Sequence, residues 1–321
     1  MSANGRVVVL GGTGFLGRHV CVALGERGFD VVAVARRPPV DAIPGRFLAR
    51  DLVQLSPQEL AKDLDEIRPA VVVNTVGSIW GRTDEQMWKA AAVPTLRLLD
   101  ALALLSERPR MVHLGSVLEY GRMTPGSTAG AATVARPTSA YGRAKLAATQ
   151  AVLERMEAGE LEGMVLRVSN LAGPGSPDVS LLGQVARQLL AAGERPAVVR
   201  LDPLLAHRDY VDVRDVADAV VAATASKVSG ELVDIGSGES TPVRTVVDLL
   251  IERSRLPAAV VERSGSGKQH STETWSRVDI GPAERLLGWR PRRPLADAVE
   301  AYWREFIERQ HITTRKGEPS A

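Results

Sequence analysis

Tyr141 and Lys145 stand four residues apart in Tyr141-Gly142-Arg143-Ala144-Lys145, a spacing that on a helix sets a phenol and an ammonium on one face. A free phenol, with a pKa of about 10, is too weak an acid to protonate a developing alkoxide efficiently at neutral pH. A neighbouring ammonium stabilises the phenolate and is expected to draw that value down towards the working range. The same lysine can hydrogen-bond a ribose and so hold a hydride donor beside the acid. Ser116 adds a third group. It lies just beyond the apolar run Met111-Val112-His113-Leu114, at the C-terminal end of an expected strand, where open α/β sheets bind ligands. Its hydroxyl can donate to a carbonyl oxygen, although a serine there can equally cap a turn. Ser116, Tyr141 and Lys145 together in that order favour the chemical reading.

A second group of residues suits phosphate. Gly11-Gly12-Thr13-Gly14-Phe15-Leu16-Gly17 follows an apolar strand directly and opens a helix. Such a segment gives a tight turn, close approach of backbone to a pyrophosphate, and free N–H groups at a helix N-terminus. The second expected strand ends Val34-Ala35-Arg36-Arg37. A carboxylate at this place holds a free ribose 2′-hydroxyl, whereas arginine accommodates a 2′-phosphate. Arg36 and Arg37 therefore predict NADPH, although two arginines ahead of Pro38-Pro39 would also suit a solvated loop. Asp51, followed by Leu52 after a short third strand, is placed to accept from an adenine amino group or to shape a turn. Thr75 and Val76, leaving the next strand, complete the expected cofactor site, to which Tyr141 and Lys145 also belong.

These residues require a scaffold that brings strand ends together. Short β-branched runs alternate with longer amphipathic stretches over about the first 170 residues, the pattern of a parallel sheet wrapped in crossover helices. Strands are expected at Arg6–Leu10, Val31–Ala35, Ala70–Asn74, Arg110–Leu114 and Met164–Val168, and helices at Phe15–Arg27, Ser56–Ile67, Asp84–Ser106 and Ser139–Ala158. The reading is α/β, a Rossmann-like doubly wound parallel sheet over residues 1–170. Beyond Asn170 the chain is richer in turns, as in Gly173-Pro174-Gly175-Ser176-Pro177 and the Pro/Arg cluster at Trp289–Pro294. Residues 171–312 are expected to form mainly a smaller C-terminal substrate-binding lobe, with some segments returning to the first domain, and 313–321 a flexible tail.

Composition narrows the partners. A formal net charge of +2 with mixed signs offers no basic stripe, so no nucleic-acid partner is expected. Cys21 is the single cysteine, which excludes an internal disulfide or a thiol metal cluster and points to a cytoplasmic setting without metal. The N-terminus runs almost at once into a strand, leaving no room for a signal peptide, and no apolar stretch approaches the roughly 20 residues that span a bilayer. Neither a secreted nor a membrane protein is expected.

The glycine turn, Ser116 ahead of Tyr120-Gly121, Tyr141 with Lys145, Arg167-Val168-Ser169-Asn170, and Arg208-Asp209-Tyr210-Val211-Asp212-Val213-Arg214-Asp215 together resemble the extended short-chain dehydrogenase/reductases that act on nucleotide sugars. The resemblance covers nearly the whole chain, through Leu287-Gly288-Trp289-Arg290-Pro291. It implies that Ser116 and Tyr141 meet the sugar and that Asn170 and Arg208 contact its diphosphate; a turn asparagine and a surface arginine are the plainer readings. It also implies a homodimer built from helices Asp84–Ser106 and Ser139–Ala158, whose apolar faces could equally be internal core. Family 4,6-dehydratases carry an Asp-Glu pair where Val117-Leu118 stand here, so elimination lacks its acid and base. The texture around Arg36 and Arg37 resembles the 4-ketoreductases that reduce dTDP-4-keto-6-deoxyhexoses in deoxysugar pathways. The expected reaction is that NADPH-dependent reduction. A nucleotide-sugar epimerase with tightly bound NAD, a non-catalytic NADP-binding regulator, and an enzyme for a non-sugar ketone remain as alternatives. Two departures stand out: Ala90-Ala91-Ala92 where the family often has Asn, and Gly115-Ser116 where it has a pair of serines.

Overall fold

The computed structural model describes residues 5–77, 83–193, 195–263 and 275–316. Its first half contains β1 (Arg6–Leu10), α1 (Phe15–Glu26), β2 (Asp30–Ala35), β3 (Arg46–Ala49), α2 (Pro57–Ile67), β4 (Val71–Asn74), α3 (Asp84–Ala91), α4 (Val93–Ala103), β5 (Arg110–Ser116), a single 3₁₀ turn at Val117–Glu119, α5 (Ala140–Glu157) and β6 (Gly163–Val168). The second half adds β7 (Asn170–Ala172), α6 (Leu181–Ala191), β8 (Ala197–Leu201), β9 (His207–Arg208), β10 (Tyr210–Asp212), α7 (Val213–Ala225), β11 (Glu231–Ile235), β12 (Thr241–Pro242), α8 (Val243–Ser254), β13 (Ala258–Glu262), α9 (Gly281–Leu287) and α10 (Leu295–Lys316).

Seven strands form one parallel sheet in the order β3-β2-β1-β4-β5-β6-β11. The winding reverses between β1 and β4, and beyond their carboxyl ends such sheets leave a crevice for ligands. The strands read as unbroken apolar runs because both faces are covered. Alternate residues diverge to opposite faces: Val7 and Val9 pack with Leu24, Val216 and Val220 on one side, whereas Val8 and Leu10 pack with Leu64, Leu98 and Val152 on the other. A separate core around Leu189, Val199, Leu250, Tyr302 and Phe306 joins α6, α8, α10 and β8. Among the described residues, no helix is long and apolar enough to cross a membrane.

Most element boundaries fall within two residues of expectation, β5 running on to Ser116 itself, and two differ by more. Asp84–Ser106 is not one helix, because it breaks at Ala92 into α3 and α4, with Pro94 in the first turn of α4. Proline has no N–H for the preceding turn, and its ring clashes with that turn's carbonyl. The last helix runs on to Lys316, beyond the boundary expected at 312. Its packed rings at Tyr302 and Phe306 anchor a helix that propagates into polar sequence at little further cost.

The Pro/Arg cluster after α9 is fastened by one carboxylate. Asp215, 1% exposed on α7, accepts from the backbone N–H of Arg292 and of Arg293, both at 2.9 Å, and pairs with the Arg293 guanidinium. The Trp289 indole N–H donates to the Asp215 carbonyl at 2.9 Å. Asp215→Ala leaves the Arg292 and Arg293 backbone N–H groups without their acceptor and is expected to lower stability by about 2–4 kcal/mol in urea denaturation followed by fluorescence. A loss below about 0.5 kcal/mol would contradict this account.

Candidate active site

A cleft of about 460 Å³ lies at the reversal of strand order, lined by Gly11, Thr13, Gly14, Arg36, Arg37, Asp51, Leu52, Thr75 and Val76 among others. Nine residues assigned from sequence to the cofactor thus share one cavity. The turn from β1 is held by Gly11 N–H donating to the Val34 carbonyl at 2.8 Å. Gly11 has φ +79, which an L side chain rarely adopts. Gly17 faces the Gly11 carbonyl so closely that a Cβ would collide with it, and α1 can therefore pack against the turn. Phe15, Leu16 and Gly17 form the start of that helix and do not line the cleft. Gly14 caps α1 without a side-chain acceptor, leaving first-turn N–H groups for an anion.

Arg36 and Arg37 are exposed, and among the described residues neither has an ion-pair partner. Arg50, which also lines the cleft, is instead occupied by Asp63 at 2.6 and 2.8 Å. Asp51 does shape a turn, one carboxylate oxygen accepting from Val53 N–H at 3.0 Å. These donors fit a dinucleotide: orphan N–H groups for its pyrophosphate, two unpaired guanidinium groups for a 2′-phosphate.

Tyr141 and Lys145 sit in the first turns of α5, which is capped by Ser139, whose hydroxyl accepts from Gly142 N–H at 3.0 Å. Gly142 lets the helix press against the Leu118 carbonyl, where a Cβ would collide; α5 is thereby seated on the turn that follows Ser116. Lys145 Nζ donates to the Val76 carbonyl at 3.2 Å. A Cβ on Gly77 would stand 3.3 Å from Tyr141 Oη and 3.5 Å from Lys145 Nζ. Phenol and ammonium therefore converge on one spot at the exit of β4, next to the cleft. Gly77, with φ +150, keeps that spot open, and the sequence reading did not single it out.

Burial sets the acidity of both groups. Lys145, 3% exposed, is pushed down to about 8, against the opposing pull of Glu119. Tyr141 was expected to be acidified by that lysine; burial instead pushes its phenol above the ordinary value, and Glu119 pushes it the same way. Ser116 ends β5 and accepts from Leu118 N–H at 3.2 Å, so it does cap a turn. Accepting through Oγ leaves its O–H free to donate.

A set of further buried groups stands behind these residues. Glu119, 0% exposed, closes the 3₁₀ turn, receives the Ser116 N–H at 2.7 Å and the Thr149 hydroxyl at 3.0 Å, and pairs with Arg167 at 2.9 Å. Arg167 lies 4.3 Å over the Tyr120 ring, and the Tyr120 hydroxyl donates to Asp234 at 2.8 Å. Burial raises the Asp234 carboxyl to about 7. One signal could have found Glu119, since Ser-x-x-Glu is the spacing of a capping box.

Asn170, at the start of β7, is held by Asp209, the residue after Arg208. Asn170 N–H donates to the Asp209 carbonyl at 3.0 Å, and its side-chain amide to that same carbonyl at 3.2 Å and to Ser276 Oγ at 3.3 Å. Arg208 is half-buried, and its pKa is lowered by desolvation; among the described residues no carboxylate pairs with it. A guanidinium so placed suits an anion. No group of three His, Cys, Asp or Glu that could hold a metal occurs among the described residues.

The model of the NAD dependent epimerase/dehydratase family matches residues 7–236. Over 305 residues, 94% of this chain and 96% of the relative, the chain is 43% identical to dTDP-6-deoxy-L-talose 4-dehydrogenase (NAD(P)(+)) of Kitasatospora kifunensis. It is 27% identical to dTDP-L-rhamnose 4-epimerase of Burkholderia thailandensis, covering 87% of this chain and 81% of that one. Among solved structures, MoeE5 in complex with UDP-glucuronic acid and NAD is similar with a TM-score of 0.82 and 25% identity, over 95% of this chain and 100% of the other.

A buried ammonium carries a cost that stability measurements can read. The Lys145 pKa falls from 10.5 when unfolded to about 8 when folded, so below pH 8 the folded chain holds a charge it would rather shed, and the penalty vanishes as pH rises towards 10.5. Lys145→Met is therefore expected to raise stability at pH 7 by about 1–3 kcal/mol in urea denaturation. That gain should shrink towards zero near pH 10; a gain that does not change with pH would rule out the buried charge as its source.

Proposed function

The chain belongs to the NAD dependent epimerase/dehydratase family, and from that premise we propose that it reduces the C4 ketone of a dTDP-activated 4-keto-6-deoxyhexose with NADPH. The observation that carries the reading is the meeting of Tyr141 Oη and Lys145 Nζ at Gly77, beside the cleft lined by Arg36 and Arg37. The relative at 43% identity is named for oxidation at C4 of a dTDP-6-deoxyhexose. Ketone reduction is the same chemistry run backwards, so one set of residues serves both directions.

The glycine turn and the start of α1 would hold the dinucleotide's pyrophosphate, Arg36 and Arg37 the 2′-phosphate, Asp51 the adenine, and Lys145 the nicotinamide ribose. When bound, NADPH supplies the hydride. Ser116 and Tyr141 donate hydrogen bonds to the C4 oxygen, stabilising negative charge as it develops there. Tyr141 passes its proton to that oxygen, and the Lys145 ammonium stabilises the phenolate left behind. Arg208 and Asn170 orient the sugar diphosphate. Dehydration lacks a catalyst, since Val117 is buried among apolar side chains and both Glu119 oxygens are engaged by protein donors. A homodimer paired through α3 to α5 accords with the exposure of Trp88 and Leu104 on or beside those helices.

Purified protein given NADPH and a dTDP-4-keto-6-deoxyhexose should consume about one cofactor per sugar. Turnover of other ketones alone would overturn the substrate. Tightly bound NAD with sugar interconversion and no net NADPH loss would mark an epimerase instead. Replacing both Arg36 and Arg37 with alanine should raise the KM for NADPH about tenfold or more and leave that for NADH within about twofold. Equal losses with the two cofactors would refute the 2′-phosphate role.

A further inference from the structure

Glu119 is a carboxylate with no exposed surface, three residues beyond Ser116, in a fold where buried charges are retained only when well paired. Its partners come from three elements. One oxygen receives the N–H of Ser116 at 2.7 Å and the hydroxyl of Thr149 at 3.0 Å, and the other receives Arg167 Nε at 2.9 Å. Thr149 is fully buried on α5. It lies four residues past Lys145 and eight past Tyr141, so all three share a face of that helix. Space for the carboxylate is provided by Gly115, where a Cβ would stand 2.7 Å from Glu119 Oε1 and 3.2 Å from Thr149 Oγ1. The glycine that departs from the family's serine pair is thus the residue that admits Glu119.

We propose that Glu119 is a positioning residue for the reaction assigned above. Its carboxylate ties the turn carrying Ser116 to the helix carrying Tyr141 and Lys145, and its buried charge keeps their protons in place, the state from which a ketone is reduced. Other charges near α5 are poorly placed for this. Asp84, Glu85 and Lys89 on α3 and Asp100 on α4 are exposed, where water screens them. Arg97 on α4 donates to the carbonyls of Val53 and Leu55. His113 on β5 is fully buried and held neutral by that burial, with Lys145 acting in the same sense. Arg110 at the start of β5 donates to the Val228 carbonyl, and Arg167 on β6 is occupied by Glu119 itself. Glu119 remains as the buried anion acting on both groups, opposing ionisation of Tyr141 and favouring the charged form of Lys145.

Two substitutions separate charge from tether. Glu119→Gln keeps the shape and removes the charge. In oxidation of a dTDP-6-deoxyhexose by NADP⁺, where Tyr141 must lose its proton, the rise of kcat with pH should move about one unit lower in this variant, with KM within about twofold. In the protein without substrate, NMR of ¹³C-labelled lysine should find Lys145 titrating about half a unit or more below its wild-type value. Thr149→Val keeps the charge and cuts the tether: kcat should fall about tenfold with the pH profile unmoved. A folded Glu119→Gln protein with wild-type titration of Lys145 and an unmoved pH profile overturns the charge role. Wild-type kcat in Thr149→Val overturns the tether. If Glu119→Gln fails to fold, the double variant Glu119→Gln/Arg167→Met, which removes both buried charges, is expected to move both titrations in the same directions by less, and no movement of either overturns the charge role. Tyr141→Phe is the control, expected to lose about 100-fold or more in turnover. Full activity there would bring down the reaction itself; a dead Tyr141→Phe beside wild-type behaviour of the Glu119 and Thr149 variants would bring down this inference alone.

Discussion

The hydrogen bond from Lys145 to the Val76 carbonyl joins two parts of the molecule that the chain builds separately. Val76 leaves β4 and lines the cleft at the strand-order reversal. Lys145 belongs to α5, which is seated against the turn after β5. Without this contact the glycine turn after β1 and the helix carrying Tyr141 would be two features of one sheet. With it, the phenol, the ammonium and the cavity share a frame, and the open space at Gly77 lies where they meet. A lysine can serve this purpose because its long stem reaches across while its amine still loses its proton within a moderate pH range.

Much of this was legible in the sequence. An i, i+4 spacing converts directly into shared direction on a helix, so Tyr141 and Lys145 could be paired without coordinates. Apolar runs of the length found at Val7–Leu10 or Val71–Val73 say that a strand is covered on both faces, and the glycine turn between β1 and α1 says which strand ends matter. Where reading failed, the cause was contact between distant parts of the chain. Thr149 and Arg167 lie 30 and 48 residues from Glu119, and nothing local marks that acid as buried. Pro94 interrupts an otherwise continuous helical pattern, and the break it makes is a local signal that apolar periodicity outweighed. Tyr141 illustrates a third kind of error: adjacency to an ammonium was weighed, but depth of burial could not be.

The polar groups beneath the site form a linked series, with Glu119 on Arg167, Arg167 over Tyr120, and Tyr120 on Asp234. Each is satisfied by the next, as buried polar groups must be. The series runs from the turn at Ser116 to β11 at the edge of the sheet. Strand β11, contributed by the second half of the chain, is in this way tied electrostatically to the turn after Ser116 as well as through its backbone ladder to β6.

The close approach of Gly115 to Glu119 also bears on how such a site changes over generations. A bulkier residue at the first position and an acid at the second compete for one volume, so neither can be exchanged alone without passing through a poorly packed or unbalanced intermediate. Exchange would demand paired replacement within a single turn of backbone.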